Sequence, residues 1–432
     1  MLIKNGTILH FENLSVEKAD ILIKGNRIEK IAKNIESTPG EEVIDAKEFF
    51  VTSGFANTHA HVPMVLFRGA AEDVKSTDWF NRYIWVYEQN LTPHDIYIGA
   101  LLGAAEMLLN GVTTVFDHYF EMQEVFKAFT EVGIRGDLAW AVFGRGENSD
   151  KNFKKAMEFT ESYSEKSDLI TISLGPHSPY ICPEGFLKKV AEISKQRGLK
   201  VHIHVSEEEW EVEKSLNETG KTPIAYLNSL GILKEGTILA HAYYATDEEL
   251  NLIKDTGARI AHAAKTYMRF GFMKDLLPRA LKAGVDIALA TDGPASNANL
   301  SIFEVARDAA LLAKLSVKDA EAGRIEQIVP LLSRGAAFTG RRVGQVKEGY
   351  LADLVLIKKD SVSLVPETNI FANILYSLSA RDIDTVLVNG NIVVKHGNLV
   401  NINLSDVLKE ARKSAKRLIV RNADKPMQTF GK

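Results

Sequence analysis

Between residues 54 and 345, eight short apolar runs alternate with longer stretches of helical character. No other feature of the chain restricts its fold as much. The runs are "FANTHAHV", "GVTTVFDHY", "GDLAWAVF", "DLITISLGPH", "LKVHIHVS", "GTILAHAY", "ARIAHAAK" and "DIALATDG". Between them lie segments such as "HDIYIGALLGAAEMLLN", "PEGFLKKVAEISKQRG" and "MKDLLPRALKAG", with Gly or Asn near several ends, as at helix C-termini. Eight strand–helix units predict an α/β fold, a closed (β/α)8 TIM-type barrel whose working groups sit at the C-terminal ends of the strands. An open doubly wound sheet is the rival topology, but no G-x-G-x-x-G or Walker sequence follows the first strand.

The two ends of the chain read differently. "MLIKNGTIL", "ADILIKGNRIEKIA" and "EEVIDAKEFFVTSG" are short strands punctuated by Gly and Asn, and "ADLVLIKKD" and "DTVLVNGNIVVKHGNLV" repeat the style, with Asn389-Gly390 as a hairpin signal. The expected organisation is a small β-sandwich domain built from residues 1–53 and 346–432, the latter ending in a helix, around a barrel at 54–345.

Composition narrows the partners. With 52 Lys and Arg against 56 Asp and Glu the formal charge is −4, which offers no footprint for nucleic acid or an anionic membrane surface. No apolar run approaches the roughly 18 residues of a membrane span, and "MLIKNGTILHF" lacks the pattern of a signal peptide. The single cysteine, Cys182, rules out an intrachain disulfide and suits a reducing compartment. A cytoplasmic protein acting on a small molecule is expected; the sequence leaves its oligomeric state, including a homo-oligomer, open.

The histidines fall in a pattern. Of 11, eight lie at or just past the ends of the expected strands: His59, His61, His118, His177, His202, His204, His241 and His262. Asp292 ends the eighth strand. Any one of these could be an ordinary satisfied polar group. Together, His59-x-His61, His204, His241 and Asp292 come from separate strands and converge on one axis if the barrel closes. Imidazoles with one carboxylate and no thiolate suit zinc or iron(II) rather than magnesium or calcium. Such a metal lowers the pKa of a bound water towards ~7, and Asp292 could both ligate and accept a proton. Glu207, in "HVSEEEW", is placed to shuttle a proton, although acidic residues are also favoured at a helix start.

Assembled, these motifs resemble the amidohydrolase superfamily, and within it the 5'-methylthioadenosine/S-adenosylhomocysteine deaminases. "GFANTHAHVPMVLFRG", "GPHSPY", "HVSEEEWEV", "AHAYY", "ATDGPASN" and "VGQVKEGYLADLVLI" carry the resemblance nearly end to end. It implies one divalent metal, zinc first and iron(II) second, on His59, His61, His204 and Asp292. It further implies Glu207 as proton shuttle, His241 beside the attacking water, and hydrolysis at C6 of a purine nucleoside with release of ammonia. "TISLGPHSPY" has no lysine to bridge two metals, so a mononuclear site is implied. Glu88 would bind the ribose hydroxyls, His177 the nucleoside, and Arg145 the sugar or its 5' substituent, with Trp79, Phe80 and Trp85 either forming a lid or simply packing.

Two departures stand out. After strand seven, "AHAAKTYMRFG" replaces the family's Asn-Pro and Ser-Asn pairs, so Lys265, Tyr267 and Arg269 are expected to put different chemistry on the Ala263–Gly271 loop. A second family arginine that reads a substrate carboxylate has only Lys151 or Lys154 as a stand-in, so a substrate bearing an amino-acid tail is expected to be used poorly. Guanine, a pterin or a triazine is the alternative substrate, and a noncatalytic zinc-binding protein the alternative class.

Overall fold

The computed structural model describes residues 1–420 and residue 431; the rest of the expected C-terminal segment, residues 421–430 and 432, lies outside the described residues. The N-terminal strands are β1 (Leu2–His10), β2 (Ser15–Lys24), β3 (Arg27–Ala32), β4 (Val43–Asp45) and β5 (Phe49–Ser53). The barrel strands follow: β6 (Phe55–Ala60), β7 (Val112–Tyr119), β8 (Arg135–Val142), β9 (Ile170–Pro176), β10 (Lys200–Val205), β11 (Thr237–His241), β12 (Arg259–His262) and β13 (Ile287–Leu289). The chain returns through β14 (Leu354–Lys358), β15 (Ile383–Val388), β16 (Asn391–Lys395) and β17 (Asn398–Leu399).

Strands β6 to β13 pair in chain order, each parallel to the next. These are the eight strands expected from the sequence. Their residues are buried on both faces, as in Val112–Tyr119 and Arg135–Val142, which is why they read as apolar runs and not as alternating ones. Closure falls between the first and last strands. A parallel bridge joins Ala60 to Asp292, and the Asp292 N–H donates to the His59 carbonyl at 3.0 Å. Side chains complete the seam: Asn57 Nδ2 donates to Thr291 Oγ1 at 2.7 Å, and Thr58 Oγ1 to the Leu289 carbonyl at 2.9 Å.

The ends of the chain share one mostly antiparallel sheet of nine strands, ordered β17-β16-β15-β14-β5-β1-β2-β3, with β4 on β1. Strand β5 lies between β1 and β14, pairing Thr7 with Phe50 and Leu354 with Ser53. The β15–β16 hairpin turns on Asn389-Gly390, both at positive φ (54° and 79°), the conformation that an Asn-Gly pair favours. The expected terminal helix spans Leu404–Leu418 and packs on the helix Pro93–Leu109. All barrel strands lie within 54–345 and all other strands outside it; we propose 53/54 and 345/346 as the unit boundaries. Among the described residues no helix is long and apolar enough to cross a membrane.

The barrel and the terminal sheet are joined by a buried ion pair. Arg135, at the start of β8, donates from Nε to Asp353 Oδ2 (2.7 Å) and from Nη2 to Oδ1 (2.9 Å), while the Asn389 N–H also reaches Oδ1 (2.7 Å). Removing one partner strands the other charge out of water. Arg135→Ala is expected to lower the free energy of unfolding by about 3–5 kcal/mol, measured by denaturant titration against wild type.

Candidate active site

The strand ends bring the predicted donors together. Nitrogen and oxygen atoms of His59, His61 and His204 lie within 4.8 Å of one another, as do those of His59, His241 and Asp292. Asp292 Oδ1 is 3.2 Å from His61 Nε2 and 3.4 Å from His59 Nε2. His204 Nε2 faces His61 Nε2 at 3.2 Å. His59 lies within β6, whereas His61 falls just past its end, so the His-x-His pair straddles the strand terminus.

What holds the rings decides which atoms face inwards. His61 Nδ1 donates to the His118 carbonyl at 2.5 Å, and His204 Nδ1 to the His177 carbonyl at 2.9 Å. A carbonyl only accepts, so both protons sit on Nδ1 and both Nε2 atoms are turned towards each other as acceptors. His59 Nδ1 is 2.8 Å from His202 Nε2, and the buried His59 Nε2 has no hydrogen-bond partner. Facing lone pairs beside a carboxylate require a positive charge between them. Burial opposes charging His61, but the neighbouring Asp292 outweighs it and raises the His61 pKa, so either a proton or a cation satisfies the site. The donor set fits a zinc-type divalent ion.

The two acidic groups are driven in opposite directions. Burial raises the Glu207 pKa well above the usual carboxylate range, and the charges of Asp292, Glu211 and Glu208 push it further. Burial would raise Asp292 as well, but His59 and His61 outweigh it and hold Asp292 ionised. Asp292 Oδ2 is also pinned by Ser296 Oγ (2.6 Å) and Thr266 Oγ1 (3.2 Å), which leaves Oδ1 to the histidines. His241 Nε2 lies 3.5 Å from Glu207 Oε2, and burial lowers its pKa to about 4. His241 and Asp292 both have positive φ (72° and 60°), as does Ser206 (50°) just before Glu207. Non-glycine residues in that region cost about 1–3 kcal/mol each, so part of the backbone strain falls on these groups.

A cavity opens over these groups and is lined by His61, His177, His204, Glu207, His241 and Asp292. Trp79, Phe80, Trp85, Phe143 and Phe270 supply its apolar wall, so the expected aromatic lid residues do face the site. Glu88 is buried in the same wall, takes a hydrogen bond from Tyr119 (2.6 Å), and has its pKa raised to about 7 by burial. His177 is neutral, its pKa pushed down to about 3 by burial. Arg145 does not reach the histidines. It lines an adjoining open cavity with Glu121, Glu147 and Asn148, which shares Glu88, Phe120 and Phe143 with the first. Lys151 and Lys154 line neither cavity, and Lys154 pairs with Glu158 instead.

The Ala263–Gly271 expectation needs correction. Lys265, Tyr267 and Arg269 do not line the cavity; Lys265 pairs with Glu304, and Tyr267 is buried against Tyr243. The segment forms a helical turn, Ala264–Arg269, and its contributions to the site are Thr266 on Asp292 and Phe270 in the wall. Thr266 and Phe270 are four residues apart, so reading the loop as helical would have placed both on one face. Tyr119, which follows His118 in "FDHY", was likewise overlooked.

With fold and site described, comparison with known proteins places the chain. The model of the amidohydrolase family matches residues 50–393, and the chain belongs to that family. A 5-methylthioadenosine/S-adenosylhomocysteine deaminase of Pyrococcus furiosus is 38% identical over 413 residues, covering 94% of this chain and 98% of the relative. A 5'-deoxyadenosine deaminase of Methanosphaera stadtmanae is 34% identical, covering 97% and 99%. The crystal structure of an adenosine deaminase from Xanthomonas campestris with bound zinc superposes with a TM-score of 0.91 at 24% identity, covering 96% of this chain and 98% of that one. An atrazine chlorohydrolase of Arthrobacter aurescens complexed with zinc reaches 0.87 at 24%, covering 96% and 99%. Metal content separates the roles read from the geometry: Asp292→Asn and His59→Ala are expected to lose bound metal by elemental analysis, while Glu207→Gln retains it.

Proposed function

We propose that the protein is a mononuclear, metal-dependent deaminase of adenosine-type nucleosides, converting 5'-methylthioadenosine, 5'-deoxyadenosine, adenosine or S-adenosylhomocysteine to the inosine analogue and ammonia. The observation that carries this reading is that Glu207 and Asp292 line one cavity beside the His59, His61 and His204 nitrogens, with burial pushing the Glu207 pKa up while the histidines hold that of Asp292 down. Two carboxyls driven apart in this way divide into an acid and a base. The names of the relatives support the substrate class.

His59, His61, His204 and Asp292 would hold one divalent ion, zinc first and iron(II) second. When bound, the ion supplies Lewis-acid activation of water. Glu207 donates its carboxyl proton to the ring nitrogen beside C6, so that the purine accepts the electron pair of the incoming nucleophile. The Asp292 carboxylate takes one proton of the attacking water and passes it to the amino group, which leaves as ammonia when the C6–N bond breaks, while the remaining C6 hydroxyl proton returns to the Glu207 carboxylate as the carbonyl forms. His241, uncharged and beside Glu207, orients the water. The aromatic wall stacks the base and excludes bulk water.

Glu88 supports a nucleoside rather than a bare heterocycle, because a buried carboxylate facing the cavity suits a pair of ribose hydroxyls. The adjoining cavity lies beyond it, where a 5' group would extend. Arg145 is the one cation, and no lysine is present, among its described lining residues, so a compact 5' group fits better than an amino-acid tail.

Ammonia release from the metal-loaded protein, screened over adenosine analogues, guanine, pterins and triazines, tests the reading. Activity on the nucleosides is expected, with S-adenosylhomocysteine the poorer; comparable efficiency on it, or activity confined to another heterocycle, overturns the corresponding part. Glu207→Gln is expected to lower kcat by roughly 10²–10⁴. Glu88 binds hydroxyls as a carboxylate, and its pKa of about 7 means that the carboxylate is lost as pH falls below that value. KM should therefore rise on acidification through pH 7, and this dependence should be absent from Glu88→Gln.

A further inference from the structure

The aromatic wall has one edge whose fastening the reaction does not explain. Trp79, Phe80, Trp85 and Glu88 all come from a single stretch, residues 76–90, built of short helical pieces. The rings form a continuous roof: Phe270 packs on Trp79 (centroids 6.0 Å apart), Trp79 on Phe80 (4.7 Å), Phe80 on Trp85 (4.8 Å), and Trp85 on His177 (6.1 Å). The segment leading into this stretch, residues 68–75, has no regular secondary structure. Within it Glu72 reaches across to Arg269, on the helical turn after β12.

Arg269 makes two contacts with different ends of its guanidinium. Nη2 donates to Glu72, and Nη1 donates to the Ser296 carbonyl. Ser296 is the residue whose hydroxyl pins Asp292 Oδ2. Trp79 adds a weaker tie on the same side, its Nε1 donating to the Ala295 carbonyl at 3.4 Å. The planar fork of one arginine thus spans the base of the roof and the loop that carries the carboxylate.

We propose that Arg269 is a positioning residue for substrate recognition. By joining Glu72 to Ser296, it fixes the roof segment, and Glu88 with it, at a set distance from the Asp292 loop. The span from the roof to the reacting carboxylate then depends on a group that touches neither. A lysine cannot replace it, because a single ammonium lacks the rigid pair of donors aimed in two directions. The Ala263–Gly271 segment then acts on specificity through this brace as well as through Phe270 in the cavity wall.

The kinetic part of the test rests on the deaminase reading; a fluorescence part does not. Of the four tryptophans, Trp79 and Trp85 are 4% and 2% exposed and sit in the roof. Acrylamide quenching of the metal-loaded protein without substrate therefore reports how firmly the roof is held. Glu72→Gln, Arg269→Gln and Arg269→Lys are each expected to increase quenching. Each should raise KM for the best nucleoside substrate roughly threefold to tenfold. Glu72→Gln should leave kcat within about twofold, because the Ser296 arm remains. The Glu72→Gln/Arg269→Gln double variant should be no worse than the worse single one.

Unchanged quenching in Glu72→Gln overturns the brace, even if an Arg269 variant fails to fold. Unchanged KM with increased quenching overturns its role in recognition, as do additive effects in the double variant or full rescue by lysine. A wild-type protein inactive on every adenosine nucleoside overturns the nucleoside reading alone, and the quenching comparison still decides the brace.

Discussion

The barrel closes on its own chemistry. Where β6 meets the end of β13, a parallel bridge joins Ala60 to Asp292, and the Asp292 N–H is spent on the His59 carbonyl. The contact that completes the cylinder is therefore the contact that sets a histidine and a carboxylate side by side. Around it, Asn57, Thr58 and Thr291 carry buried hydrogen bonds that the short β13 cannot supply as a regular ladder. Misalignment of this seam by one residue would turn His59 out of the site, because successive side chains point to opposite faces.

From that seam the electrostatics follow. His59 and His61 hold the Asp292 pKa down, and the Asp292 charge in turn helps burial to push that of Glu207 up. The two carboxyls divide their roles through burial and neighbours, not through any difference in residue type that matters. The strained backbone at His241 and Asp292 is tolerated because the parallel ladder and the seam fix the residues on either side.

Much of this was legible in the sequence, and the reasons are specific. Eight apolar runs identified eight barrel strands because parallel strands are buried on both faces. The histidines and Asp292 were recognisable because their residue types are out of place at the ends of such runs. Thr266, Ser296 and Tyr119 were not, since a threonine, a serine or a tyrosine is ordinary anywhere and gains its role only from what tertiary folding sets beside it. The strand-seven loop misled for a related reason. Its charged residues drew attention, whereas a single helical turn aims Thr266 and Phe270 inwards and spends Lys265 and Arg269 on other parts of the fold.

The position of β5 has a consequence for how the chain assembles. It sits between β1, made just before it, and β14, made only after the whole barrel has been synthesised. Until Leu354–Lys358 emerges from the ribosome, one edge of Phe49–Ser53 has no strand to bond, and Arg135 has no Asp353 to neutralise it. The N-terminal strands must therefore wait as an open, sticky edge while eight strands fold beside them. Nascent chains stalled between residues 292 and 353 are the ones most exposed to pairing with the wrong neighbour.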